Sequence, residues 1–169
     1  MNSNSMTYQA YVQILKEELL PAMGCTEPIA IAYCAAKARD VLGEIPDSIE
    51  VEASGNIIKN VKSVVVPNTE GRKGLEAAAA IGVLGGDAAK GYEVIASVRP
   101  ETKMKLGAYL ETTPIKVLPA DSDHVLDVSV LVRKGEHHAL VRAVNEHTNI
   151  VRIEKHAQIL LDRHPSESR

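Results

Sequence analysis

The sequence predicts an α+β fold in which Ala-rich helices pack on a mainly antiparallel sheet. Three observations predict it. The stretches that follow Pro28 and Gly74 are dense in Ala, the best helix former. The last third alternates short β-branched runs with short polar turns. No linker or internal repeat interrupts the 169 residues, so 1–169 reads as a single domain around one core.

Taken in order, Thr7 to about Leu20 places Tyr8, Tyr11, Val12, Leu15 and Leu19 at helical spacing, and Pro21 and Gly24 end that stripe. A second helix is expected from Pro28 to Leu42, with Gly43 as its C-cap. Ile49, Val51 and Ala53 alternate with Ser48, Glu50 and Glu52, the period of a half-buried strand. Ser54-Gly55-Asn56 reads as a turn, and Val61 to Val66 as a second β-branched run. A polar loop, Asn68 to Gly74, leads into the helix LEAAAAIGVL, stopped by Gly85-Gly86. Ala88–Val98 and Thr102–Glu111 read as two further helices. The remaining strand candidates are Ile115–Leu118, Val125–Arg133, His138–Asn145 and Asn149–Ile153, with a hairpin turn at Lys134-Gly135-Glu136. Gln158–Leu161 reads as a closing strand or a short helix, and His164–Arg169 as a frayed tail.

Composition narrows the function. With 45% apolar and 24% charged residues the chain is ordinary globular material. A net charge of −3 supplies no basic field for phosphate backbones, which argues against nucleic acid as a partner. Five Tyr, no Phe and no Trp leave the core to Ala, Val, Ile and Leu, and nearly exclude stacking as a mode of recognition. No apolar run approaches the roughly 18 residues of a membrane span. The opening MNSNSMTYQAY has neither the basic nor the apolar region of a signal peptide, so a cytoplasmic location with reduced thiols is expected.

Gly24-Cys25-Thr26-Glu27-Pro28 is the sharpest chemical feature. It sets a cysteine just before an expected helix N-terminus, where the dipole and free N–H groups favour the thiolate that ligates metal or attacks substrate. Its plainer reading is a capping turn with an inert cysteine. Cys34, nine positions on, reads as a small buried hydrophobe. The glycines from Gly71 to Gly91 match no phosphate-binding loop and read as turn and packing positions. Asn56, Lys59, Asn60, Asn68 and Thr69 stand at expected turns, which favour such residues for backbone reasons. Six histidines fall between His124 and His164. His137 and His138 are expected on opposite faces of a strand, whereas His147-Thr148-Asn149 gathers three polar side chains where two strands meet.

Together, PAMGCTEPIAIAYCAAKA, SGNIIKNVKSVVVPNTEGRKGLEAAAAIGVLGGDAAKGYEV and EHTNIVRIE resemble the N-terminal part of the iron–sulfur L-cysteine desulfidase family. That family is related to the alpha chain of iron–sulfur L-serine dehydratases. The resemblance runs from about Leu15 to Leu160. It implies a lyase with an oxygen-sensitive [4Fe–4S] cluster that converts cysteine to sulfide, ammonia and pyruvate, with serine the analogous substrate of the relatives. Cys25 matches the family's N-terminal cluster cysteine. Thr26, Glu27, Asn56, Lys59, Asn68, His147, Thr148 and Asn149 match motif positions, which places them in the cleft without individual roles.

Family members are much longer, and their C-terminal half carries the remaining cluster cysteines. The expectation is therefore a truncated gene product, split subunit or expressed domain that alone binds no cluster and turns over no substrate. Apolar surface where the other half would dock is expected to drive homo-oligomerisation. The competing expectation is a free-standing small-molecule-binding or oligomerising module that kept the fold and lost the chemistry.

Overall fold

The computed structural model describes residues 27–156 and 158–163. The helix expected from Thr7, together with Cys25, Thr26 and the tail from His164, lies outside them. The first described element, α1 (Glu27–Leu42), buries Ile29, Ala30, Ile31, Ala32, Cys34, Ala35, Ala36 and Ala38. A helix apolar on nearly every side belongs inside. After it come β1 (Ser48–Ala53), α2 (Gly55–Val61), α3 (Gly74–Gly85), a short 3-10 helix (Ala88–Glu93) and α4 (Pro100–Thr112). The rest is β2 (Ile115–Pro119), β3 (Asp127–Lys134), β4 (His137–Val144), β5 (Ile150–Lys155) and β6 (Gln158–Asp162).

The strands form one sheet in the order β2-β1-β3-β4-β5-β6, antiparallel throughout except for the parallel β1–β2 pair. A parallel neighbour needs a long crossover, here the helical stretch from α2 to α4. Cross-strand rows Ile49–Val132–Ala139, Val51–Val130–Val141 and Ala53–Val128–Ala143 are buried. Helix α1 lies on β3 and β4, α3 packs on α1, and α4 packs on α3. By strand alternation Glu50, Glu52, Ser129, Leu131, Leu140 and Arg142 face the other way. The α+β class and the mainly antiparallel sheet are as the sequence predicts.

Three segments depart from expectation. Gly55–Val61 is a helix rather than a turn, because its 3.6-residue period puts Ile57 and Val61 into the core together. Val61–Val66 forms no strand of the sheet. The chain folds back on itself, with Val66 N–H donating to the Arg72 carbonyl (2.8 Å) and a single bridge between Val65 and Lys73. Ala88–Val98 is helical only through the 3-10 turn to Glu93, and Gly91 breaks it at φ 56°, ψ −118°. Of the two options for Gln158–Leu161, the strand is the one formed. No helix among the described residues is long and apolar enough to cross a membrane.

Candidate functional site

At one end of the sheet, four segments of the described residues line an open cavity of about 420 Å³. Glu27 comes from the first turn of α1, Asn56 and Ile57 from the first turn of α2. Asp123, His124, Val125 and Leu126 come from the β2–β3 loop, Asn145 and His147 from the β4–β5 loop. Of the candidate cleft residues, Glu27, Asn56 and His147 are therefore brought together. Asp123, His124 and Asn145 are lining residues that the sequence reading did not single out. The only available signal for them was a run of polar residues, Asp121 to His124, between two strands.

Local packing explains the placements. Burial of Ile57 and Val61 fixes the roll of α2, which leaves Asn56 at the cavity and Lys59 exposed without lining it. In the β4–β5 loop, Thr148 and Asn149 are buried. The Asn149 carboxamide donates to the Val144 carbonyl (2.9 Å) and accepts from Arg163 Nη2 (3.2 Å), which cross-braces the loop. His147 is thereby held against Tyr92, with ring centroids 5.4 Å apart. Asn68 is a fold residue elsewhere: at φ 60° its Nδ2 donates to the Ile95 carbonyl (2.7 Å). Thr69 Oγ1 donates to the Val66 carbonyl (2.7 Å) and closes the same loop. Cys25 and Thr26 lie outside the described residues, immediately ahead of Glu27.

Asp127, next to the lining residue Leu126, forms a part-buried ion pair with Arg142. Arg142 Nε and Nη2 donate to the two carboxylate oxygens of Asp127 at 2.9 and 2.7 Å. Burial alone would raise the Asp127 pKa. Hydrogen bonds from Arg142 and Ser122, with the charges of Arg142 and His124, outweigh it and hold the carboxyl below its ordinary value. Cys34 is the opposite case: fully buried, its thiol is pushed up to about 12. The His156 ring lies 4.8 Å from His137 and 6.0 Å from His138, edge-on to both, so the two histidines expected on opposite faces share a neighbour at the strand ends. Among the described residues no group of three His, Cys, Asp or Glu side chains is placed to hold a metal ion.

These features define an α+β domain with a small polar cleft whose walls come from helix N-termini and inter-strand loops. No protein-family model matches the chain, and no solved structure does. Among curated proteins it is similar to UPF0597 proteins. It shares 51% identity with that of Desulfitobacterium hafniense over 160 residues, covering 95% of this chain and 37% of the relative. Identity is 45% over 163 residues with that of Treponema denticola, covering 96% and 38%. With that of Lachnoclostridium phytofermentans it is 51% over 148 residues, covering 88% and 36%. The chain thus spans less than two-fifths of the length of these relatives.

Proposed function

We propose that the chain is the N-terminal portion of an iron–sulfur L-cysteine desulfidase or L-serine dehydratase-like lyase, located in the cytoplasm. One observation carries this reading. Glu27, Asn56 and His147 belong to the GCTEP, GNxxKN and HTNI motifs, separated by up to 120 positions, yet they line one cavity. Motif residues that were only capping or turn residues would have no reason to converge. The much greater length of the relatives is in keeping with a partial catalytic unit.

The described residues do not by themselves fit a [4Fe–4S] cluster. Cluster ligation needs several thiolates, and Cys34 is a buried thiol kept protonated. Cys25 is the other cysteine, two positions before a cavity residue, and the further ligands must come from outside this chain. What this chain supplies is the polar half of the cleft, where the carboxylate, carboxamide and imidazole groups bind and orient the substrate.

The test is reconstitution. The isolated chain, treated anaerobically with iron and sulfide, is expected to stay colourless and to release neither sulfide from cysteine nor pyruvate from serine. Adding the C-terminal remainder of the longer Desulfitobacterium hafniense relative is expected to give visible absorption and turnover, and Cys25→Ser to abolish both. Activity of this chain alone that survives oxygen and a chelator would overturn the reading.

A further inference from the structure

We propose that His124 and Asp123 are substrate-contacting residues of this cavity, and that Ser122, Asp127 and Arg142 are positioning residues that hold them there for an α-amino acid. The β2–β3 loop has no regular structure between Pro119 and Asp127, yet it is tied down along its length. At its start Ala120 N–H donates to the Ala53 carbonyl (2.8 Å), and near its end Ser54 Oγ donates to the Val125 carbonyl (2.7 Å). Asn145 N–H donates to the Leu126 carbonyl (2.9 Å). Between these ties the Ser122 hydroxyl accepts from His124 N–H (3.2 Å) and helps to lower the pKa of the Asp127 carboxylate clasped by Arg142.

This is an expensive way to build a connection. Asp127 is 3% exposed and Ser54 equally so, and taking a carboxylate or hydroxyl out of water costs stability unless it is hydrogen-bonded. A loop that only linked two strands would need neither. What the network does is fix the backbone of residues 122–126 in one conformation, which aims Asp123 and His124 into the same space as Glu27 and His147. Pre-organised polar groups on a rigid support are what small-molecule recognition requires.

The composition of the wall selects the ligand. Among the described residues it contains two carboxylates, two imidazoles and two carboxamides, and neither Lys nor Arg. Such a wall disfavours phosphates and dicarboxylates and favours an ammonium group, which Glu27 and Asp123 can hold. A carboxylate on the same small molecule is then met by the His124 imidazole, with Ile57, Val125 and Leu126 beside a short side chain. The inference rests on the lyase reading for the identity of the amino acid and on this geometry for the residues.

The experiment follows the His124 imidazole resonance of the intact chain by NMR during titration with L-serine, L-cysteine, other L-amino acids, methylamine and acetate. L-Serine and L-cysteine are expected to shift it. His124→Gln is expected to weaken L-serine binding about tenfold while sparing methylamine. Asp123→Asn is expected to weaken both. Ser122→Ala, with an unchanged circular dichroism spectrum, should weaken L-serine alone. Unaltered L-serine affinity in all three variants would overturn the inference and leave the lyase reading standing. Binding of other amino acids through these residues, with cysteine and serine excluded, would overturn the lyase reading and leave the inference intact. If no α-amino acid shifts the His124 resonance, the inference is wrong.

Discussion

Cys34 of α1 lies in the core and Asp127 on β3, and their pKa values are shifted in opposite senses. Desolvation dominates at Cys34, with the Asp127 charge adding to it and a backbone hydrogen bond from Ala143 offsetting part. Its folded value of about 12 lies above the ordinary 9.0, so its contribution to stability is complete below about pH 9 and is lost as pH rises towards 12. A thiol reagent at pH 8 is expected to leave Cys34 untouched in the native protein and to modify it at once in urea. Equal rates in the two states would refute its burial. At Asp127 the sign reverses. Its folded value is lowered, so its stabilisation is present above the ordinary carboxylate range and is lost as pH falls through the depressed value. Asp127→Asn should cost about 2 kcal/mol at pH 7, less than a fully buried pair because Arg142 is one-third exposed. Urea unfolding should show that difference shrinking at acid pH; a constant difference would mean that the ion pair is not its source. Cys34 was legible as a core residue because it stands in an Ala-rich helix, with Ala32, Ala35 and Ala36 close by in sequence. Asp127 was not, since its partner lies fifteen positions away and nothing local signals the pairing.

The pairing of α1 with α3 depends on small side chains at matched spacing. A Cβ at Gly82 would lie 2.5 Å from the Ala32 carbonyl oxygen, and one at Gly86 would lie 2.9 Å from the Ala36 Cβ. A glycine in the last turn of α3 and the one just past its end therefore face two alanines one turn apart on α1. Gly82→Ala should destabilise by about 2–3 kcal/mol, since the obstructing atom is backbone and cannot rotate away. Gly55→Ala, where nothing lies within 4 Å and φ is not positive, should change stability by less than about 1 kcal/mol. Thermal unfolding of the two variants side by side checks the contrast, and equal effects would remove the case for close helix contact. Both helices were readable from Ala content, and most strands from alternation, because there pattern and burial agree. Prediction failed at Val61–Val66, where β-branched residues pair within their own loop, and at Gly55, where a turn-like tripeptide starts a helix. The site was legible only in part: motif residues marked Glu27, Asn56 and His147, but the β2–β3 loop enters the cavity through contacts with Ser54 and Asn145, which no local pattern encodes.

At the scale of the molecule, α1 covers β3 and β4 from one side only, and the sheet ends on the β6 side in a strand that pairs with β5 alone among the described residues. Edge strands offer unpaired N–H and C=O groups to any other strand that approaches, and natural edges are commonly protected by charge or Pro. β6 is poorly protected: Ile159 and Leu160 are 55% and 54% exposed, with Asp162 as its one charge. Leu131 and Leu140 on the face turned from the helices are only half-buried, and Glu154 of β5 separates them from that edge. Covering it by self-association costs little when both partners carry the same edge, since a two-fold axis satisfies both copies at once. Light scattering should therefore show the average mass of the chain rising with concentration. Ile159→Lys with Leu160→Lys should return it to the monomer mass, since two lysines on the edge would oppose their own symmetry mates and are the natural means of blocking such pairing. The double variant should keep its circular dichroism spectrum, because neither side chain belongs to the core. A wild-type chain that stays monomeric at millimolar concentration would show that β6 does not pair. Association unchanged in the double variant would move the interface to the Leu131–Leu140 face.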